Sequence, residues 1–117
     1  MNENNSYHEQ LKQLMDDFVN QVYDCALKFP KEEMYGVTSQ LRRAALSVVL
    51  NYIEGFARNR KAVYKNFLEI SYGSLQETKY LIYFSHRRKY LDDNNYNDLE
   101  KKCNRIGSML WGIISKM

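Results

Sequence analysis

Apolar residues recur along most of this chain at alternating steps of three and four, the spacing of one face of an α-helix. The first such stripe predicts a helix over about residues 7–28. Ser6 followed by Glu9 fits a capping box at its start, and Pro30 disfavours helical geometry in the residue before it. The stripe consists of Leu11, Leu14, Phe18, Val22, Cys25 and Phe29.

Three further helices are predicted by the same spacing. The second begins at Thr38 or Ser39, whose hydroxyl suits an N-cap, and ends near residues 55–58. The third covers about residues 62–90 and contains Gly73, which we expect to mark close helix packing. After the polar turn at residues 92–95, the fourth carries a heptad stripe of Tyr96, Leu99, Cys103, Ile106, Leu110, Ile113 and Met117. The pattern predicts an all-α protein, an antiparallel up-down-up-down four-helix bundle, with residues 1–117 forming one domain.

The second helix is apolar on nearly every side, because eight of the ten residues 44–53 are apolar. A helix of a monomeric bundle keeps one wet face, so this composition indicates a neighbour from outside the bundle. We therefore expect a homo-oligomer, an expectation strengthened by the aromatic cluster Tyr80, Tyr83 and Phe84. The alternative is that its apolar residues lie singly on an ordinary surface. Those residues are Leu46, Leu50 and Ile53.

The polar residues of the second helix form one stripe, here called the polar seam. On the third helix Ser74, Glu77 and Thr78 are placed to meet it. The result is either a buried hydrogen-bond network that fixes the helix register or the lining of a channel in a ring. Arg42 and Arg43 are also expected to pair with Glu32 or Glu33 in a structural salt bridge. The seam consists of Gln40, Arg43, Ser47, Asn51, Glu54 and Arg58.

Charge is distributed unevenly along the 117 residues, whose net charge is +3. Residues 1–36 contain three Lys and seven acidic residues, whereas residues 37–117 contain 14 basic and seven acidic residues. This asymmetry permits a surface that binds a polyanion. Tyr64 and Tyr90 are adjacent aromatics that would stack on unpaired bases, although solvated helix ends also favour Lys and Arg. The first basic cluster is Arg58, Arg60, Lys61 and Lys65, and the second basic cluster is Arg87, Arg88 and Lys89.

Other classes of function find little support in the sequence. Residues 1–5 lack the basic and apolar regions of a signal peptide, so a cytoplasmic location without membrane association is expected. Cys25 and Cys103 are lone thiols at helical core positions, which are usually inert. Neither His8 nor His86 belongs to the Glu-x-x-His motif of di-metal bundles, and no phosphate-binding glycine loop or catalytic triad occurs. We therefore expect no enzyme activity, no cofactor and no metal.

The segment 29–47, followed by Asn51 and by Glu54-Gly55, resembles the bacterial four helix bundle family encoded in intervening sequences of 23S rRNA genes. The sequence Gly73-Ser74-Leu75-x-Glu77 resembles the signature of that family's third helix. Departures at Val37, Val48 and residues 52–53 exchange one apolar residue for another. The resemblance implies an antiparallel four-helix protomer, a homopentameric ring and a largely unassigned role. The related accessory proteins of diversity-generating retroelements bind nucleic acid and a reverse transcriptase.

Two functions follow as hypotheses. The first is a non-enzymatic oligomer that binds the RNA or DNA backbone, with a reverse transcriptase or another protein as a further candidate partner. The second is a homo-oligomeric protein-interaction scaffold that uses apolar anchors such as Trp111 and does not bind nucleic acid. Phosphate contacts predict steep salt dependence, whereas apolar anchors predict binding that is insensitive to salt.

Overall fold

In the computed structural model, the backbone is described for residues 3–117 and the side chains for residues 6–117. The side chains of the polar segment 1–5 therefore lie outside the described part. Within these limits the chain is all-α and contains no strand. It forms four long helices and one 3-10 turn, Lys31–Glu33. The helices are α1 (Glu3–Ala26), α2 (Val37–Phe56), α3 (Lys61–Arg87) and α4 (Asp93–Ile114).

The four helices surround one elongated core. α2 packs chiefly against α3, α4 packs against α3, and α1 contacts both α2 and α4. The largest buried side chains come from all four helices, with Tyr52 and Phe18 the bulkiest, and the molecule measures 44 × 24 × 20 Å. Fully buried members of the core include Leu11, Met15, Val22, Leu41, Leu68, Leu75, Ile82, Leu99, Ile106 and Leu110.

Specific contacts show which helix ends meet. At the first end, the Tyr7 hydroxyl donates a hydrogen bond to the Met109 carbonyl oxygen at 2.9 Å. His8 Nδ1 is hydrogen-bonded to the hydroxyl of Tyr52, so the start of α1 lies against the late turns of α2 and α4. At the second end, the Tyr90 hydroxyl donates to Glu33 Oε2 at 2.9 Å. The α1–α2 and α3–α4 connections therefore lie side by side.

Two predicted N-caps are wrong. Ser6 lies inside α1, which begins at Glu3, so it is not at the position where its hydroxyl would cap the helix. At α2 the N-cap position belongs to Gly36. The Thr38 side chain points into the core and is only 3% exposed, so it cannot reach the free backbone N–H groups. The carboxylate of Glu33 accepts from Val37 N instead, at 3.3 Å.

The expectation for Gly73 is also wrong within the protomer. A Cβ built on Gly73 would meet nothing within 4 Å, so no helix of the chain packs closely there. The close approach occurs at Gly55, where a Cβ would lie 2.8 Å from Phe67 Cβ and 3.2 Å from the carbonyl oxygen of Tyr64. Glycine at this position lets the end of α2 and the start of α3 touch.

Candidate nucleic-acid interface

The polar seam meets α3 across the α2–α3 contact. Arg43 pairs with Glu77, with Nη2 and Oε2 2.8 Å apart, and the hydroxyls of Ser47 and Ser74 are hydrogen-bonded at 2.9 Å. Asn51 Nδ2 donates to both the carbonyl and the hydroxyl oxygen of Ser47, each at 2.9 Å. Within the protomer, these bonds link the two helices directly.

The remaining seam residues bond within their own helices. Gln40 Oε1 accepts from Arg43 at 2.9 Å, Glu54 pairs with Arg58 one turn later, and the Thr78 hydroxyl donates to the Ser74 carbonyl oxygen at 2.7 Å. The seam is also partly wet, since the ion pair that joins α2 to α3 is 60% and 46% exposed at its two side chains. Such a pair orients the helices but contributes at most about 1 kcal/mol of stability.

The salt bridges expected at the start of α2 do not form. Arg42 lies over the ring of Tyr23, with its guanidinium carbon 5.7 Å from the ring centroid, and Arg43 pairs with Glu77. Glu33 instead accepts hydrogen bonds from Val37 N and the Tyr90 hydroxyl. In the packed helices, both arginine side chains contact partners other than Glu32 and Glu33.

The first basic cluster lies where α2 ends and α3 begins. Arg58 is paired with Glu54 and also lies over the ring of Phe67, 5.2 Å from its centroid. Arg60 and Lys61 are exposed, and Lys65 is half-buried. No acidic residue occurs between Glu54 and Glu69 in the sequence, and none occurs in residues 101–117, which include the late turns of α4 at the same end. Glu9, at the start of α1, lies at the same end of the bundle, but among the described ion pairs only Arg58 of this cluster takes part.

The second basic cluster lies where α3 ends. Arg87 donates to the Tyr83 hydroxyl at 3.4 Å, and Arg88 lies 5.9 Å from the centroid of the Tyr90 ring. Lys89 has a φ of 64°. Lys89 therefore ends α3 in the left-handed backbone conformation, which is usually adopted by glycine at this position.

The two clusters are not one site within the protomer. They lie at opposite ends of α3, whose 27 residues span about 40 Å at 1.5 Å per residue. Acidic side chains also surround the second cluster, since Asp93 pairs with His86 at 2.7 Å and Asp92 lines the same shallow pocket as Arg87. Acidic residues therefore adjoin the second cluster, and among the described ion pairs none involves Arg87, Arg88 or Lys89.

The two tyrosines expected to stack on bases are engaged within the protein. Tyr64 packs edge-on against Phe56, with centroids 6.3 Å apart, and burial raises the pKa of its hydroxyl. Tyr90 packs against Phe29 at 5.7 Å and donates to Glu33. The aromatic group available beside the first basic cluster is instead Phe56, which is 50% exposed. In the sequence, the only indication that Phe56 lies beside the cluster was its position two residues before Arg58.

Apolar residues on α2 remain exposed in the protomer. Leu46 is 39% exposed, Leu50 55% and Ile53 49%. These three residues, here called the apolar stripe, occupy the face of α2 that turns away from the core. Beside the stripe, Val49 and Ile53 line a shallow groove against α1 with Glu9, Lys12, Gln13 and Asp16.

Neither thiol is placed for nucleophilic chemistry. Cys103 is buried, and burial raises the pKa of its thiol to about 11. Burial also raises the pKa of the half-buried Cys25, helped by the charge of Asp92. Both thiols are free. Among the described residues, no group of three or more His, Cys, Asp or Glu side chains is arranged to hold a metal ion, and none of the described helices is long and apolar enough to cross a membrane.

Comparison with known proteins gives two findings. A solved structure from Bacteroides thetaiotaomicron, described as a protein of unknown function from the S23 ribosomal protein family, superposes with a TM-score of 0.80 at 20% identity. The match covers 89% of this chain and 97% of the other, and at this identity it supports the four-helix fold alone. No match was found among curated proteins. The model of the 23S rRNA-intervening sequence protein family matches residues 8–112, and the chain therefore belongs to that family.

Proposed function

We propose that this protein is a non-enzymatic, cytoplasmic, homo-oligomeric accessory protein that binds the backbone of RNA or DNA through its first basic cluster. The observation that carries the proposal is the group of four cations at the junction of α2 and α3, of which only Arg58 forms an ion pair among the described side chains. Arg60 and Lys61 are exposed there, and Glu54 neutralises only Arg58. Guanidinium and ammonium groups in such a setting suit phosphate oxygens.

The apolar stripe supports the proposed oligomeric state. Three large apolar side chains at 39–55% exposure on one helix would be removed from water by packing against a second copy. We propose an antiparallel up-down-up-down protomer assembled into a pentameric ring. The antiparallel arrangement is supported by the contacts of Tyr7 with Met109 and of His8 with Tyr52.

Assembly matters to affinity. A cluster of four cations reaches few phosphates, so one protomer binds a polymer weakly. In a ring the same cluster recurs, and each further contact becomes intramolecular once the first has formed. Disrupting the apolar stripe with Leu50→Lys should therefore lower both the solution mass and the affinity for nucleic acid.

The proposal is tested by fluorescence anisotropy with a labelled structured RNA and a labelled duplex DNA at two salt concentrations. We expect affinity to fall steeply with salt. The double charge reversal Arg60→Glu and Lys61→Glu should weaken binding and reduce the salt slope by about one for each phosphate that the protein no longer neutralises. Its matched control is Arg87→Glu with Arg88→Glu, which changes the net charge equally at the other end of α3.

Each result is decisive. Tight, salt-dependent binding that disappears only with the first pair of reversals supports both the function and the site. Disappearance with the second pair alone would keep the function and move the site to the other end of the molecule. Absence of binding even at low salt would refute the proposal.

The second candidate is a protein-interaction scaffold, which the far end of the molecule favours. Tyr35 is 93% exposed, Leu27 76% and Met34 50%, and basic and acidic groups are mixed around them. Solvent-exposed apolar groups with balanced charge suit a protein partner, a reverse transcriptase among them, better than a phosphate backbone. Affinity for a partner that is insensitive to salt and abolished in Tyr35→Ser would favour this function.

A further inference from the structure

A groove of about 420 Å³ runs between α3 and α4. Its lining contains no residue of either basic cluster or of the apolar stripe, and its volume falls in the range of small-molecule sites, about 300–1,000 Å³. Its lining combines two aromatic rings, one cation and several neutral polar groups. The lining residues are Tyr72, Gln76, Lys79, Cys103, Asn104, Gly107, Ser108 and Trp111.

Aromatic rings form one wall of the groove. Trp111 leans on Tyr72, with centroids 5.8 Å apart and planes inclined at 48°, so the tyrosine supports the indole from one side. The indole nevertheless remains 55% exposed. A supported and exposed indole offers a flat π surface to another ring.

The groove contains one cation, and Glu100 lies outside the lining but near enough for its charge to act on Cys103. Lys79 is the one lining residue with a charged side chain, and its Nζ donates to the neutral Asn104 Oδ1 at 2.9 Å. None of the ion pairs formed by the described side chains involves Lys79. An exposed ammonium group whose partner is a neutral amide can accept an anion beside it.

The remaining lining residues suit a polar ring edge. Gln76, Asn104 and Ser108 supply amide and hydroxyl groups that donate or accept hydrogen bonds. Gly107 leaves the floor open, because a Cβ there would lie 3.4 Å from Leu75 Cδ2 and 4.0 Å from Tyr72 Cε2. The groove thus joins a π surface, neutral hydrogen-bonding groups and one cation.

We propose that the α3–α4 groove binds a small planar heterocycle that carries an anionic group. The ring stacks on Trp111, its polar edge pairs with the amide and hydroxyl groups, and the anion is held by Lys79. Nucleoside monophosphates and aromatic carboxylates share this chemistry. The site stands independently of polymer binding at the first basic cluster.

The protein carries its own reporter for the test, since Trp111 is its single tryptophan. Its fluorescence is followed while adenosine monophosphate, nicotinate, adenosine or inorganic phosphate is added to the full-length protein. We expect a saturable change with adenosine monophosphate or nicotinate, a weaker one with adenosine and none with phosphate. The stronger of the first two ligands identifies the source of the anion as a phosphate or a carboxylate.

Variants separate the site from nonspecific quenching. Lys79→Gln should weaken binding about tenfold, the effect of removing one charge-assisted hydrogen bond. Lys101→Gln, an exposed lysine of α4 outside the groove, is the matched control and should leave the affinity unchanged. Ser108→Leu, at an exposed position, should block the groove while circular dichroism shows intact helices. The proposal is overturned if no ligand gives a saturable change at millimolar concentration, or if Lys79→Gln binds like the Lys101→Gln control.

Discussion

Replacing Gly55 with alanine should destabilise the protein, although alanine is the better helix former. The added Cβ would lie 2.8 Å from Phe67 Cβ and 3.2 Å from the backbone carbonyl oxygen of Tyr64. Real Cβ atoms essentially never come within 2.8 Å of a non-bonded heavy atom, and Phe67 Cβ is attached directly to the backbone, so it cannot move aside as the tip of a flexible side chain can. The start of α3 must therefore shift away from α2.

The size of the effect follows from two opposing contributions. Overpacking a tight contact costs about 1–3 kcal/mol, whereas exchanging glycine for alanine within a helix returns about 0.5–1 kcal/mol. The difference between the two ranges is about 0–2.5 kcal/mol, and we expect Gly55→Ala to lower the free energy of unfolding by about 1 kcal/mol. Gly73→Ala supplies the matched control, because nothing lies within 4 Å of its added Cβ. That variant should gain about 0.5–1 kcal/mol.

Urea unfolding followed by circular dichroism measures both changes. The midpoint should fall for Gly55→Ala and rise for Gly73→Ala with the slope unchanged. All samples must have the same protein concentration, because self-association makes apparent stability depend on concentration. Equal stability of the two variants, or a loss of stability in Gly73→Ala, would refute the reasoning from these contacts.

Three further changes test individual interactions. Burial lowers the pKa of His8 below its ordinary 6.5, so protonation of the imidazole favours the unfolded chain. The stability of the protein should therefore fall as the pH drops below about 6.5. In His8→Gln, the urea midpoint should depend less on pH in this range. Lys89→Gly should raise the melting temperature, since it relieves about 1 kcal/mol of left-handed strain at φ 64°; an unchanged or lower value would contradict that assignment. Glu77→Gln should cost less than about 1 kcal/mol, because its ion pair with Arg43 is exposed, and a larger loss in urea unfolding would mean that the polar seam is shielded by another molecule.

Helix number and position were largely readable from the sequence. Steps of three and four between apolar residues place one face of a helix against its neighbours, and the buried residues Phe18, Val22, Leu99 and Ile106 lie on the predicted stripes of α1 and α4. The match to the family model over residues 8–112 confirms the predicted family. The spacing of the polar seam and of its partners on α3 was also visible, since both are periodic within a helix.

Helix termini were less predictable, because a cap depends on where a side chain points. Thr38 has the right chemistry for an N-cap, but the core takes up its side chain, and Glu33 caps the helix from the preceding turn. Packing likewise decided the partners of Arg42 and Arg43. A long arginine side chain can reach several neighbouring groups, and the sequence does not indicate which of them it will bind.

The sequence by itself determined the four helices, the inward faces of α1 and α4, the family and the excess of positive charge after residue 36, because each depends on residue type and local spacing. The sequence also placed the two basic clusters at opposite ends of α3, but only the tertiary structure decided that acidic groups adjoin the second cluster and that Tyr64 and Tyr90 are engaged in packing. The tertiary structure also showed that Gly55, rather than Gly73, admits a neighbouring helix. The physical reason is that charge compensation, burial and close approach depend on distances between residues far apart in the chain, and these distances exist only once the helices pack.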